Sequence, residues 1–591
     1  MCGLGGVIWK SGEAAADASL TLDRMEAALS HRGPDETGRT IGPGFAVVHR
    51  RLAIVDIASG QQPMTTGEGR VGVAYNGEIF NHQDLRADLN GVSFRTHCDT
   101  ESLLEGFAAL GPDVFGRCNG MASAMFWDLR RAEPVFHLMR DQLGIKPLYY
   151  YEDETRIIFA SELRAILAVG GLDLGLDRGS LQTYLAHRYA TGASTLFARI
   201  RRLEAGCYLR IEAGRVARRR YWDLPAVDRH SAISYDAAKE QLYALLKDSV
   251  RGQMMGEAPI GLTLSGGIDS SVIACLCAEL GAHYKTFNVG FPDVNEFEYS
   301  HDVARKFGQE HHTFETSVDA IVADFEDIVW AMDEPIADAA CFPLHILCRE
   351  IRKHVTVVLS GEGSDEMLAG YPQYARVLEA QPADAAEQFR RFTRFSWYFD
   401  NAGAFLVDPP SPVRAFPQSS YFFERDVLDG MLQYDLKTWL PENLMMKADK
   451  MLMANGLEGR FPFLSVPLVE FVCSLPPSFK WRDGVGKRVL RDAFGARLPR
   501  SVVERPKMGF SVPLDQLVLR LRERLYDLLS RLNRTELAGT LDLTAVRAAA
   551  DRHFSGENVD TLRIWTFLVM LQWYDCAEER GAMSAPRRIA A

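Results

Sequence analysis

Cys2 stands directly after the initiator methionine. A small side chain there permits methionine removal, which leaves a cysteine carrying a free α-amino group. A thiol titrates at about 8.5 and an α-amino group at about 7.7 to 8.0, so the amine can take the thiol proton near neutral pH. Nucleophile and base then share one residue, and no separate histidine is needed. Far downstream lies a different kind of site, Ser265-Gly266-Gly267-Ile268-Asp269-Ser270-Ser271, placed between an apolar strand and a helix. Glycines let backbone N–H groups approach an anion and the helix start adds a favourable dipole, so this loop can cradle phosphate. It lacks the Gly-Lys-Ser/Thr of a Walker loop. A second glycine-serine-acid turn, Ser360-Gly361-Glu362-Gly363-Ser364-Asp365-Glu366, also follows an apolar strand. Asp269 and Asp365 offer hard oxygens suited to bridging Mg2+ to phosphates.

These residues need elements to hold them. From residue 3 to about 220, short β-rich runs at 45–49, 71–75, 135–139 and 157–160 alternate with turns, interrupted by apolar-periodic helices near 18–30 and 99–110. This half reads as α+β, sheets sandwiched by helices. Periodicity fails over 223–234, where a linker is expected. Beyond it come helices near 236–252, 269–281, 298–308, 318–332 and 344–353, with strands at 260–264, 284–289 and 355–359. That alternation predicts an α/β parallel sheet with ligands at its carboxyl edge, followed by a helical part after about 420. Residues 584–591 read as a tail.

Two large domains suit 591 residues of 47% hydrophobic content, because a single core stops growing well below this length. With 66 Lys and Arg against 78 Asp and Glu, a dedicated nucleic-acid binder is disfavoured. Ten cysteines form no dense framework, and Cys275 and Cys277 lack zinc-ligand spacing, which points to reduced thiols and a cytoplasmic compartment. No charged n-region precedes a long apolar stretch, and the longest apolar runs, such as 567–571, are too short to span a bilayer.

Cys2 alone would be an ordinary cysteine, and Asn76-Gly77 alone a hairpin turn. Together with His31-Arg32-Gly33-Pro34-Asp35, Arg51-Leu52-Ala53-Ile54-Val55-Asp56, Asn76-Gly77-Glu78-Ile79-Phe80-Asn81, Asp99 with Glu101, and the run Arg140-Asp141-Gln142-Leu143-Gly144-Ile145-Lys146-Pro147-Leu148-Tyr149, they resemble the class II glutamine amidotransferase domain, an amino-terminal-nucleophile hydrolase. The resemblance implies that Cys2 cleaves L-glutamine and that Arg51 to Val55 line its pocket, with Arg51 on the α-carboxylate. It places Asp99 and Glu78 at the α-amino end, and Asn76 with the Gly77 N–H in the oxyanion hole. The chemistry agrees: a guanidinium suits a carboxylate, an acid suits an ammonium, and amide donors suit a developing oxyanion.

The downstream loops resemble those of ATP pyrophosphatases, which adenylylate a substrate and release PPi, and the two halves together resemble glutamine-hydrolysing asparagine synthetase over roughly 2 to 515 and more weakly through 565–574. This implies domains at 2–222 and 235–580 and, as in that family, a homodimer. ATP would lie against Leu264, Ser265, Gly266, Gly267, Asp269, Ser270, Ser271, Val289, Ser360 and Gly361, and Asp269 and Asp365 would hold Mg2+. Glu362 would sit beside the acyl-adenylate and Lys487, in Gly484-Val485-Gly486-Lys487-Arg488, would offset charge at phosphorus.

Two departures stand out. Gly120-Met121-Ala122-Ser123-Ala124-Met125-Phe126 replaces the large aromatics usual in the family where an ammonia passage wall would run. Asp333-Glu334-Pro335-Ile336-Ala337-Asp338-Ala339-Ala340 lacks the arginine many members set against the aspartate α-carboxylate. This and Arg505-Pro506-Lys507-Met508-Gly509-Phe510 resemble a bacterial branch in which some members make asparagine and others amidate different carboxylates. L-Aspartate is the expected acceptor, with a sugar uronate, peptide or cell-envelope precursor as the alternative. A β-lactam-synthetase-like reaction is disfavoured by the intact Cys2, and a nonenzymatic sensor would not need both nucleophile and metal ligands.

Overall fold

The computed structural model describes residues 2–225, 232–380, 384–396, 398–399, 401–410, 418–423, 426–505 and 512–580. Part of the expected linker (226–231), the 506–510 segment and the 584–591 tail lie outside these.

The first half stacks two six-stranded antiparallel sheets. One runs in the order Ile200–Arg202, Tyr149–Glu152, Arg156–Ala160, Gly3–Trp9, Phe45–Arg51, Glu36–Gly42. The other runs Arg215–Arg220, Cys207–Glu212, Val135–Arg140, Gly120–Asp128, Val71–Ile79, Met64–Thr65. Strand Gly3–Trp9 is buried on both faces, which explains its lack of polar alternation. Leu4 and Ile8 point between the sheets to meet Phe45, Val47, Met125 and Trp127, while Val7 and Trp9 point outward to helix Ala18–Leu29. Each such side chain contributes about 1.5 to 3 kcal/mol by leaving water. On the outer face of the second sheet, Val71, Val73 and Tyr75 pack on Leu103, Leu104 and Phe107 of helix Asp99–Leu110.

The second half contains a five-stranded sheet, all parallel, in the order His311–Glu315, Lys285–Gly290, Ile260–Thr263, Val357–Leu359, Glu458–Arg460. From the central strand the chain first builds outward on one side and then returns to the other. The loops after Ile260–Thr263 and Val357–Leu359 therefore meet at a topological switch point, where parallel sheets bind ligands. Helix Tyr235–Gln253 is started by Ser234, whose side chain accepts from the Ala237 N–H. The helix expected over 318–332 divides at Asp324 into Val318–Ala323 and Phe325–Ala331, and Asp324 instead accepts from Arg349 at 2.9 Å. Two of the five strands are absent from the sequence reading, His311–Glu315 and Glu458–Arg460; the second is three residues long with charged ends, Glu458 and Arg460, both fully buried.

Packing continues across the junction of the halves. Leu163, Tyr184 and Leu196 share a core with Ile328, Phe342 and with Trp565 and Phe567 of helix Thr561–Glu579. Of the 120–126 segment, Met121 enters the core shared with the second half, together with Leu52, Ile54, Leu143 and Ile145. Ala122 and Ala124 instead face the 99–110 helix and Met125 lies between the sheets. None of the ten cysteines forms a disulfide, and among the described residues no helix is long and apolar enough to cross a membrane.

Candidate active sites

The Cys2 backbone N–H donates to Asn76 Oδ1 at 2.9 Å, and Asn76 Nδ2 lies 3.4 Å from Ser123 Oγ on the paired strand. Burial pushes the Cys2 thiol up, while the Leu52 N–H and the Arg51 charge pull it back. Strand Val71–Ile79 turns one edge toward this thiol. The Tyr75 N–H donates to Gln62 Oε1 at 2.8 Å and the Ile79 N–H to Asp99 Oδ2 at 2.9 Å, both away from the neighbouring strand Gly120–Asp128. Because successive N–H groups alternate sides, the Gly77 N–H faces the same edge, between them. A Cβ on residue 77 would lie 1.9 Å from the Met121 carbonyl oxygen, so only glycine lets the two strands approach here.

Around this edge the buried Arg51 donates to the Ile57 carbonyl at 3.1 Å, to the Asp56 carbonyl at 2.9 Å and to Glu36 at 2.9 Å, which folds 52–57 into a loop over the thiol. The Ala53 N–H is held by Asp35 at 2.8 Å. Asp99, at a helix start, also accepts from the Tyr75 hydroxyl at 3.0 Å. Glu78 is pushed well above the usual carboxylate range by burial and by nearby Glu458 and Asp99. Its Oε2 is buried without a hydrogen-bond partner, as is Nη2 of Arg460, which stands 3.9 Å from Glu78 Oε1. Orphaned buried donors and acceptors in the Cys2 region mark a pocket shaped for a polar ligand.

The second site is a cleft of about 370 Å³ at the switch point. Leu264, Ser265, Asp269, Ser270, Val289, Ser360, Gly361, Glu362 and Asp365 line it. Gly266, Gly267 and Ser271 shape the loop behind. Gly266 has φ +74°, and a Cβ there would meet the Ser300 nitrogen at 2.6 Å. Ser271 Oγ donates to the Gly267 carbonyl at 2.7 Å. Lys487 does not line the cleft; its ammonium sits behind the two acids, 2.6 and 2.7 Å from the Asp269 oxygens and 2.6 Å from Asp365 Oδ1. Two carboxylates converging on one cation fit a magnesium site completed by phosphate oxygens.

Several residues at these sites carried no role in the sequence reading. Lys447 lines the cleft and donates to Asp338 at 3.1 Å; burial opposes its charge, but Asp338 and Glu362 outweigh it and raise its pKa. Tyr371 and Trp439 line the same end, and Tyr371 donates to Glu366, whose carboxyl burial and Asp365 push up to about 8. Of the 333–340 segment, only Asp338 and Ala340 reach the cleft. Asp333 accepts from the Leu163 and Arg164 N–H groups at 2.7 and 2.8 Å, and Glu334 accepts from Arg202 at 2.8 Å, so the conspicuous acids tie the halves together. Arg460 and Asp449, which reach from the second half to the Cys2 region, lie in no motif that the sequence reading singled out.

An amino-terminal sandwich presenting Cys2, joined to a parallel sheet whose switch-point loops frame a phosphate cleft, defines a glutamine-dependent amidoligase. The glutamine amidotransferase domain family matches residues 1–222 and the asparagine synthase family residues 241–575. The chain belongs to the glutamine-hydrolysing asparagine synthetase family. It is 30% identical to asparagine synthetase [glutamine-hydrolyzing] 1 of Bacillus subtilis strain 168, over 99% of this chain and 98% of that protein. It is 27% identical to asparagine synthetase B [glutamine-hydrolyzing] of Escherichia coli K12, over 83% of this chain and 78% of that one.

Proposed function

We propose that this chain makes L-asparagine from L-aspartate, ATP and L-glutamine, in the cytoplasm, releasing AMP, PPi and L-glutamate. The Cys2 thiolate, its proton taken by its own α-amine, attacks the glutamine amide carbonyl. Asn76 and the Gly77 N–H steady the oxyanion, ammonia leaves, and water hydrolyses the thioester to glutamate. Arg51 takes the glutamine α-carboxylate, and Asp99 with Glu78 its ammonium. In the cleft, one aspartate carboxylate oxygen attacks the α-phosphorus of ATP and PPi departs. Ammonia then attacks the acyl carbon and AMP leaves with the electron pair. Asp269 and Asp365 would hold Mg2+, which supplies charge neutralisation at the phosphates. Lys487 adds a fixed positive charge at the same place.

The observation that supports the acceptor reading is the set Glu362, Lys447 and Asp338, two acids and one ammonium that line the same cleft as the phosphate loop, with Lys447 on Asp338 at 3.1 Å and its charge favoured by both acids. That pattern complements a zwitterionic amino acid, with its ammonium on the acids and its α-carboxylate on Lys447, so Lys447 takes the part of the absent arginine. A second reading has one specific observation in its favour. Tyr371 and Trp439 line the same cleft, and flat aromatic faces suit a larger acceptor such as a uronate or peptide. The test is PPi release with ATP, Mg2+ and a panel of carboxylic acids. Aspartate is expected to stimulate release most; stimulation by another carboxylate with aspartate at background transfers the function to the second reading.

Gly77→Ala tests the glutaminase assignment. The methyl group must part strands Val71–Ile79 and Gly120–Asp128 beside the thiol, moving an oxyanion donor. Glutamate release is expected to fall at least about 10²-fold, the usual loss for one such donor, while ammonia-supported amide formation continues. Near-normal glutamate release would place the oxyanion elsewhere.

A further inference from the structure

Arg32 is fully buried, and both edges of its guanidinium are engaged. Its Nε donates to the Cys2 carbonyl oxygen at 3.1 Å. Its Nη1 and Nη2 donate to the two carboxylate oxygens of Asp449 at 2.8 and 3.2 Å, and Nη1 also reaches Glu162 at 2.9 Å. A planar fork held in two-point contact cannot rotate, so the carboxylate on one edge sets where the other edge points. Glu162 is shared with His31 at 3.0 Å and Arg164 at 2.8 Å; Asp449 gives Arg32 both of its oxygens and has Lys146 at 3.5 Å from one of them. Burial by itself would raise the Asp449 carboxyl, but Arg32 and Lys146 override it and keep it below the usual range, ionised.

Asp449 belongs to helix Met445–Met453 of the second half, 417 residues from Arg32 in sequence. Two residues earlier on the same helix is Lys447, which lines the ATP cleft. Residues two apart on a helix point about 200° apart, so Lys447 and Asp449 face opposite sides, and they are only about 3 Å apart along its axis. The helix is entered through a π-helical turn, Leu440–Leu444, whose Asn443 also donates to Asp338 at 3.2 Å. Such turns are rare and concentrate at functional sites.

We propose that Asp449 is a positioning residue for the Cys2 nucleophile, and that helix Met445–Met453 makes glutamine cleavage respond to occupancy of the ATP cleft. This rests on the reading of Cys2 as the glutaminase nucleophile. An acceptor or acyl-adenylate that draws Lys447 off Asp338 moves the turn that carries Asp449. Asp449 moves the Arg32 fork, and the fork moves the Cys2 backbone against the oxyanion edge. Neither Asp449 nor Arg32 touches glutamine in this scheme. Their effect appears in kcat and in coupling, not in substrate affinity.

The test compares the full-length wild type with Asp449→Asn, Asp449→Glu, Arg32→Lys and Cys2→Ala, measuring glutamate release with and without ATP and acceptor, and PPi release with ammonium as nitrogen source. In wild type, ATP plus acceptor is expected to raise glutamate release. In Asp449→Asn, kcat for glutamate release falls on the order of 10²-fold, as when a distant change misplaces a reacting group by about 1 Å, with KM for glutamine unchanged. The stimulation disappears, ammonia-supported PPi release is retained, and Asp449→Glu recovers part of the loss. Arg32→Lys keeps the charge but not the fork and gives the same pattern, which covers the case in which Asp449→Asn does not fold. Wild-type kcat and stimulation in either Asp449→Asn or Arg32→Lys overturns the proposal, as does parallel loss of both half-reactions in the folded variants. Glutamate release by Cys2→Ala would instead overturn the reading of Cys2 and is scored separately.

Discussion

Cys2→Ala is expected to abolish glutamate release while amide formation continues when ammonium salt is supplied at a pH where free NH3 is appreciable. The size of the loss follows from what remains. Without a nucleophile only the oxyanion edge and substrate binding act, and in nucleophile-deleted enzymes these leave roughly 10³ to 10⁴ over water. The second half should be indifferent, because its carboxylates and Lys487 meet at the loops after Ile260–Thr263 and Val357–Leu359 and take no part in thiol chemistry. Retaining one residue before Cys2 should mimic the mutation, since an acylated nitrogen cannot accept the thiol proton. In this structure that nitrogen lies 2.9 Å from Asn76 Oδ1, so a freed amine would have its orientation fixed by the residue assigned to the oxyanion. Glutamate and amide assayed separately decide the matter. Normal glutamate release from either variant removes the shared nucleophile and base, and failure of ammonia to support amidation gives Cys2 a second role.

Asp269→Asn should produce the mirror image. The carboxylate accepts two short bonds from Lys487 and one from Ser364 Oγ at 2.7 Å, and with Asp365 it supplies the pair of hard oxygens in the cleft. Asparagine keeps the size but removes the charge. Lys487 is then left with one anionic partner and a bound cation loses one of two carboxylates. Loss of a single preorganised charge at developing phosphoryl charge costs about 10² to 10³ in rate. PPi release is therefore expected to fall by at least that factor, while glutamate release in the absence of ATP stays at its wild-type value. Equal loss of both activities would argue against two separable sites.

The two-part architecture was legible because its signals are local. Strand Ile260–Thr263, the glycine turn and helix Ile268–Glu279 are contiguous, so their order alone announces a phosphate loop. The free amine proposed for Cys2 rests only on its second position. Arg51, Asn76, Gly77, Glu78 and Asp99 could be proposed because each lies in a short motif whose residue types suit one substrate group. The 318–332 helix was read as continuous because its apolar spacing is continuous; nothing local announces that Asp324 is held by Arg349 from another helix. The strand Glu458–Arg460 carries no β pattern, since it is three residues long and its two charges, which pair with each other at 2.6 Å, are buried by packing that no local pattern announces.

What the sequence by itself determined is therefore the residue types each half offers: a cysteine at the second position, and a glycine-serine loop with two acids beside it. Only the tertiary structure decided how the halves address one another. Of the 333–340 segment, singled out in sequence for its missing arginine, Asp333 and Glu334 are spent on Arg164 and Arg202, while Asp338 reaches Lys447 in the cleft. Arg32 sits in a motif, yet its partner Asp449 lies 417 residues away and has no motif. The physical reason is that a buried charge must find its counter-charge wherever packing puts one, and packing is a property of the whole fold.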